Sequence, residues 1–340
     1  MTNQENKIPI KGYATFHPLK HCMVGRGFNI DHITEFFPDP KIAEPMKRIA
    51  DETEEDFLKL IDIMEKAGVK TYRPSPLDMT RYESLDKVNR PPITPRDHLA
   101  VIGEKLYAVN TPVGYSEILK QIKRENLVLK PVDKNYTGVI DTSRLLRVGK
   151  DLFWGLDPKF SGTAGNPSEY VKQWEQEGFR VHLLERDYHT DGVLSLIKPR
   201  VAVSLQNIED YSKTMPGWEV LLIDDNPKLP YKDTPFKDII RGRWWIAGEE
   251  DNETLAHFIN KWLGEWVGYV NESIFDVNMT SIDESTIIVN NYNKNVFDFL
   301  KRHKVEPVIF NFRHRWFYDG GVNCITQDFY REGEMEDYFE

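Results

Sequence analysis

Apolar positions along this chain come in short runs that change period in a fixed order. From Asn278 onward it reads Met279-Thr-Ser-Ile, a polar Asp283-Glu284-Ser285 break, then Thr286-Ile-Ile-Val-Asn. A stretch around Asn295-Val-Phe-Asp-Phe-Leu-Lys-Arg follows, and Pro307-Val-Ile-Phe-Asn closes the unit. Short β-branched runs bounded by turn residues predict strands, and apolar positions three and four apart predict a helix. The predicted order is strand, turn, strand, helix, strand.

The same order recurs. Val193-Leu-Ser-Leu-Ile, Lys198-Pro-Arg, Val201-Ala-Val-Ser-Leu, a short helix near Ile208 to Ser212, and Glu219-Val-Leu-Leu-Ile form a second copy. A third has Leu99-Ala-Val-Ile, Gly103-Glu-Lys, Leu106-Tyr-Ala-Val, a helix from Tyr115 to Arg124, and Leu127-Val-Leu-Lys. A looser copy has strand material at Thr137 to Ile140 and Leu152-Phe-Trp, a helix capped by Asn166 and Pro167 and ended by Gly178, and Val181-His-Leu-Leu. Another has Cys22-Met-Val, a helix with Phe57, Leu60, Ile61 and Met64 on one face stopping at Gly68, and Val69-Lys-Thr-Tyr. Five ββαβ-like units predict radial repetition around an axis, the copies closing on one another in one domain over 1–340, with two ordinary α/β domains as the plainer alternative.

Residues 225–276 stand outside the repeat. They hold Lys228-Leu-Pro, Arg241-Gly-Arg-Trp-Trp and a helix expected from about Glu253 to Val267, with Leu255, Phe258, Ile259, Trp262 and Trp266 on one stripe. A connection this long predicts a lid or a subunit contact, which leaves a homodimer open, against the plainer reading of a small subdomain burying its own tryptophans.

Composition narrows the function classes. The chain has 340 residues, 40% hydrophobic and 29% charged, as in an ordinary globular enzyme. No apolar run is long enough for a bilayer, and Met-Thr-Asn-Gln-Glu-Asn-Lys at the start lacks the apolar core of a signal peptide, so the expected address is the cytoplasm. Two cysteines make no disulfide framework, and no Cys/His cluster has metal-ligand spacing, so a structural zinc site is not expected. With 54 acidic against 44 basic residues the net charge is −10, which speaks against nucleic acid and for a cationic small molecule.

The polar residues with unusual placement fall at equivalent points of the repeat. Asp97 stands just before the first strand of one copy, Asp141 follows Val139-Ile140, His189 and Asp191 precede the first strand of another copy, and Cys324 follows Gly320-Gly321. Each alone reads as a turn residue, a hydrogen-bonded histidine or a buried thiol. Together they supply a thiolate nucleophile, an imidazole to carry protons, a carboxylate to fix the imidazole, and two carboxylates to grip a planar cation.

These residues resemble those of the pentein superfamily of guanidine-modifying enzymes, and within it the arginine:glycine and arginine:inosamine-phosphate amidinotransferases. The likeness runs from Phe16-His-Pro-Leu-Lys and Val24-Gly-Arg to the C-terminus. It is carried by Pro95-Arg-Asp97, Ile140-Asp-Thr-Ser-Arg-Leu-Leu-Arg-Val-Gly-Lys-Asp-Leu-Phe, Val181-His-Leu to His189-Thr-Asp191, Asn278 to Glu284, and Gly320-Gly-Val-Asn-Cys324-Ile-Thr-Gln-Asp328. The resemblance implies a five-bladed α/β propeller. It further implies that Cys324 attacks the guanidino carbon of L-arginine, that His189 protonates departing ornithine, and that an amine acceptor takes the amidino group from the cysteine, without metal or cofactor. Asp141 takes the place of the histidine's carboxylate partner, and Asp97 and Asp191 that of the guanidinium clamp.

The sequence departs from the pattern at Asn323, often histidine in relatives, and at Arg144, acidic in the glycine enzyme. Gln206-Asn-Ile-Glu offers no counterpart of the arginine that grips an amino-acid carboxylate, so Arg200, Arg313 and Arg315 are its candidate replacements. A guanidine hydrolase of the arginine deiminase type and a non-catalytic binding propeller are the rival readings.

Overall fold

In the computed structural model, residues 7–29, 31, 37–79, 82, 88–109, 114–130, 142–156, 167–185, 189–206, 208–224, 246–264, 266 and 272–340 are described. The chain begins with β1 (Leu19–Val24), α1 (Pro40–Lys66) and β2 (Lys70–Tyr72). The next module is β3 (Leu99–Ile102), β4 (Lys105–Val109), α2 (Ser116–Leu119) and β5 (Leu127–Lys130). Then come β6 (Leu145–Val148), β7 (Asp151–Leu156), α3 (Pro167–Gln176) and β8 (Arg180–Glu185). A fourth module follows α4 (Thr190–Val193) as β9 (Leu194–Lys198), β10 (Val201–Leu205), α5 (Tyr211–Thr214) and β11 (Glu219–Ile223). After α6 (Glu253–Trp262) and α7 (Glu272–Val277) the chain forms β12 (Thr280–Ser281), β13 (Thr286–Val289), α8 (Lys294–Arg302) and β14 (Glu306–Ile309). It ends with α9 (Arg315–Tyr318) and β15 (Thr326–Arg331).

Among the described residues the strands form five three-stranded sheets. In each, the middle strand pairs antiparallel with one neighbour and parallel with the other, as a hairpin followed by a helical crossover requires. One sheet is closed by both ends of the chain: β15 pairs antiparallel with β1, which pairs parallel with β2. Strands such as β3 and β9 are buried along almost their whole length, whereas β11 exposes Glu219 and Leu222, and β14 exposes both its ends, Glu306 and Ile309. The buried strands therefore converge on the axis. Ser195 of β9, Ser281 of β12, and Asp328 and Arg331 of β15 line one shared cavity of about 20 Å³, room for a single water.

Several expected boundaries move. α1 begins at Pro40, whose fixed φ suits a first turn, behind Asp39, whose side chain accepts from Lys41 N at 2.9 Å. Pro45 inside this helix cannot donate to Lys41 O, and Asn252 Nδ2 donates to that carbonyl instead, at 2.9 Å. The helix expected from Tyr115 to Arg124 is one turn only, because Ile122 is drawn into a bridge with Ile8. The short helix near Ile208 starts later, at Tyr211, where the ring hydroxyl meets Ser204 Oγ at 2.6 Å. Thr137 to Ile140 lies outside the described residues, and β6 is the first strand of that module.

Of the 225–276 stretch, 225–245 with Trp244 and Trp245 lie outside the described residues. α6 is shorter than expected, ending at Trp262, and Asn252 caps it by accepting from Leu255 N at 3.0 Å. Leu255, Phe258, Ile259 and Trp266 share an apolar cluster with Phe57 and Leu60 of α1 and with Val322 and Ile325, which flank the Cys324 turn. Of the insertion, α6 thus packs on α1, within the cluster that also holds the residues beside Cys324.

Candidate active site

Five turns precede the five axial strands, and each is bonded to its neighbour. Thr142 Oγ1 donates to Arg96 O at 2.9 Å and Thr190 Oγ1 to Arg144 O at 3.0 Å. Asn278 Nδ2 donates to Asp191 O at 3.2 Å, and Asn323 N to Asn278 Oδ1 at 2.8 Å. Arg96 N donates to Cys324 O at 3.3 Å and closes the ring. Asp97, Asp191, Asn278 and Cys324 all stand on these turns, so the equivalence read from the sequence is a spatial one.

The Cys324 turn is held from within. Val322 N donates to Asn290 Oδ1 at 2.7 Å, Cys324 N to Asn278 Oδ1 at 3.4 Å, and Asn290 Nδ2 ties back to Asn278 O at 2.5 Å. A Cβ at Gly321 would lie 2.5 Å from Asn278 Oδ1, so this approach admits only glycine. Arg96 Nε braces the far side by donating to Asn323 O and Thr326 O, each at 3.2 Å. The thiol is buried, accepts from Asn278 Nδ2 at 3.1 Å, and lies 3.6 Å from Asp191 Oδ2.

Asp191 Oδ2 accepts from Asn323 Nδ2 at 2.9 Å, while Oδ1 is buried without a protein partner among the described residues. Burial pushes this carboxyl above its usual range and Asp97 adds to it, against His189 and Arg96. Asp97 lies with Oδ1 3.8 Å from His189 Nδ1 and Oδ2 3.8 Å from Arg90 Nη1. The His189 side chain is 47% exposed, so its imidazole has one side open to solvent. Burial, and then the charges of Asp191 and Asp97, hold the Cys324 thiol well above its ordinary value, with the Gly321 amide and Asn278 pulling the other way. A cation beside the two carboxylates would offset their share of that shift and so favour the thiolate.

The expected residues divide. Cys324, Asp191, Asp97 and His189 come together; Asp141 lies outside the described residues. Arg200 and Arg313 are corrected. Arg200 sits at positive φ in the β9–β10 turn, at the strand ends remote from Asp191, and donates to Glu340 O. Arg313 turns to α1, bonding Asp56 at 3.0 Å and Glu55 at 2.7 Å, and Arg315 bonds Asn311 and Phe312 O within its own turn. Four residues around the thiol are given no role in the sequence reading: Asn278, Arg96, Arg90 and Asp319. Asn278 had a signal, since it stands before an axial strand like the others. Among the described residues no group of three or more His, Cys, Asp or Glu is arranged to hold a metal ion.

No model of a known protein family matches the sequence, and a search of curated proteins finds no match. Solved structures do match. SxtG, an amidinotransferase from Microseira wollei in the saxitoxin biosynthetic pathway, aligns over 97% of this chain and 100% of its own, with TM-score 0.70 and 18% identity. The inosamine-phosphate amidinotransferase of Streptomyces griseus aligns over 97% and 99%, with TM-score 0.66 and 16% identity. Agmatine deiminase of C. jejuni aligns over 96% of both chains, with TM-score 0.55 and 11% identity. The fold is thus the pentein α/β propeller shared by amidinotransferases and guanidine hydrolases, as the repeat and the resemblance both implied.

Proposed function

We propose that this chain is an amidinotransferase that moves the amidino group of L-arginine to an amine acceptor through Cys324. One observation carries the reading: a buried thiol bonded by Asn278 stands 3.6 Å from Asp191 and within the field of Asp97. That is a nucleophile beside a paired anionic seat for a guanidinium.

The steps follow from the charges. Burial and the two carboxylates together hold the Cys324 thiol well above its ordinary value. A guanidinium seated beside them offsets the carboxylates' share, and Cys324 passes its proton to His189. The sulfur lone pair forms a C–S bond at the guanidino carbon. Protonation of the departing nitrogen by His189 lets the C–N bond break, releasing ornithine and leaving an amidino-cysteine. An acceptor amine, losing its proton to His189, attacks the same carbon, and the C–S electrons return to sulfur. Asp141 is the residue to which the family resemblance gives the orientation of His189. The exposed face of His189 also favours a second reading, in which water resolves the adduct as in a hydrolase.

Supplying L-arginine without an acceptor separates these readings. Each site is expected to release about one ornithine and stall, with the mass of one amidino group on the peptide holding Cys324. Cys324→Ala should show neither burst nor adduct. Cys22→Ala should match the parent, since Cys22 lies in β1 with its thiol pushed up to about 12 by burial. Steady citrulline and ammonia would establish the hydrolase, and ornithine release by Cys324→Ala at the parent's rate would end both readings.

A further inference from the structure

Beside the clamp lie two side chains of opposite charge. Arg90 has Nη1 3.8 Å from Asp97 Oδ2, and its Nη2 donates to Tyr318 O. The next residue, Asp319, holds a left-handed backbone (φ 51°, ψ 49°) directly before Gly320 of the nucleophile turn, and feels the charges of Arg90, His189 and Asp97. Arg90 Nε and Asp319 Oδ1 are both buried, and neither has a partner among the described residues. A buried donor and a buried acceptor left open each cost free energy unless a ligand completes them.

We propose that Arg90 and Asp319 recognise the zwitterionic head of the donor amino acid, Arg90 its carboxylate and Asp319 its ammonium; this rests on the amidino-transfer reading. One ligand with adjacent −1 and +1 groups satisfies both open atoms, whereas a simple amine or anion satisfies one. The contact with Asp97 assigns the pair to the donor. A guanidinium arriving at Asp97 meets a second cation there, and two cations on one carboxylate repel. A carboxylate on the same substrate offsets that repulsion by drawing Arg90 to itself. Arg90 thus fills the role for which Arg200 and Arg313 are misplaced.

The test compares three donors by their rate of adduct formation on Cys324: L-arginine, agmatine, which lacks the carboxylate, and Nα-acetyl-L-arginine, which lacks the ammonium. The parent should prefer L-arginine over both. Arg90→Gln should lower kcat/KM for L-arginine on the order of 10²-fold while changing agmatine little, with Arg90→Lys restoring part of the preference. Asp319→Asn should narrow the gap between L-arginine and its acetyl derivative. Equal losses for L-arginine and agmatine in Arg90→Gln, or unchanged preferences in both variants, would overturn the assignment while leaving Cys324 chemistry standing. Absence of any adduct in the parent with all three donors would overturn both.

Discussion

Asp191 and Asp328 are carboxylates sealed in one core, lining the same water-sized cavity, and they have opposite fates. Asp328 receives Arg96 Nη2 at 2.9 Å, Arg331 Nε at 2.8 Å and Arg147. Burial pushes its carboxyl up, but the three guanidiniums outweigh that and hold it well below the usual range. Asp191 has amide donors and a thiol on one oxygen and, among the described residues, no partner on the other, and burial prevails. The axis of the propeller satisfies its own charge where the charge is architectural. At Asp191, on the same cavity, it leaves the burial of a carboxyl uncompensated.

The contrast can be broken first at Asp328. Asp328→Asn strands three guanidiniums in the core, and removing one partner of a buried ionic group costs about 3 to 5 kcal/mol. Urea unfolding should show that loss, or the variant should fail to accumulate as folded protein. A change under about 1 kcal/mol would mean the arginines find solvent. Asp191→Asn should leave the fold intact and weaken donor use by about 2 to 5 kcal/mol, read as adduct formation. Unfolding comparable to Asp328→Asn would erase the distinction between the two carboxylates.

The smallest effect lies in pH dependence. Asp191 has its folded-state value raised, so its ionisation costs the folded state more than the unfolded one as pH rises through that value. Asp191→Asn should then unfold later than the parent near pH 7, with the gain vanishing toward about pH 4. Asp328 runs the other way. Its value is lowered, so its stabilisation is complete above about pH 4 and is lost as pH falls. Thermal melts of parent and Asp191→Asn across that range would expose a wrong sign directly.

The repeat was legible because strand and helix periods alternate within each module, and the site because Asp97, Asp191 and Cys324 occupy like positions in different modules. β15 was not: its partner β1 lies at the other end of the chain, and Thr326–Arg331 mixes Asp328 and Arg331 into a buried strand where polarity reads as a loop. Asn278 reads as a turn residue until its amide is seen to serve both the sulfur and the Asn323 backbone. Arg313 was chosen by residue type alone, and α1's carboxylates, distant in sequence, decide where its charge goes. Arg90 belongs to no repeat element, so no periodicity points to it.

The pairing of β15 with β1 also orders events in time. During synthesis β1 is made early and waits for a partner that emerges after all the other strands. Asp97, His189 and Asp191 are translated well before Cys324, and the contacts of Arg96 with Asn323 and Thr326 cannot form until that last segment arrives. A nascent chain therefore carries these carboxylates before the thiol that lies beside Asp191 exists. The ring of turns shuts only when the last strand is made, so protection of the Arg96 contacts from solvent reports the completion of folding.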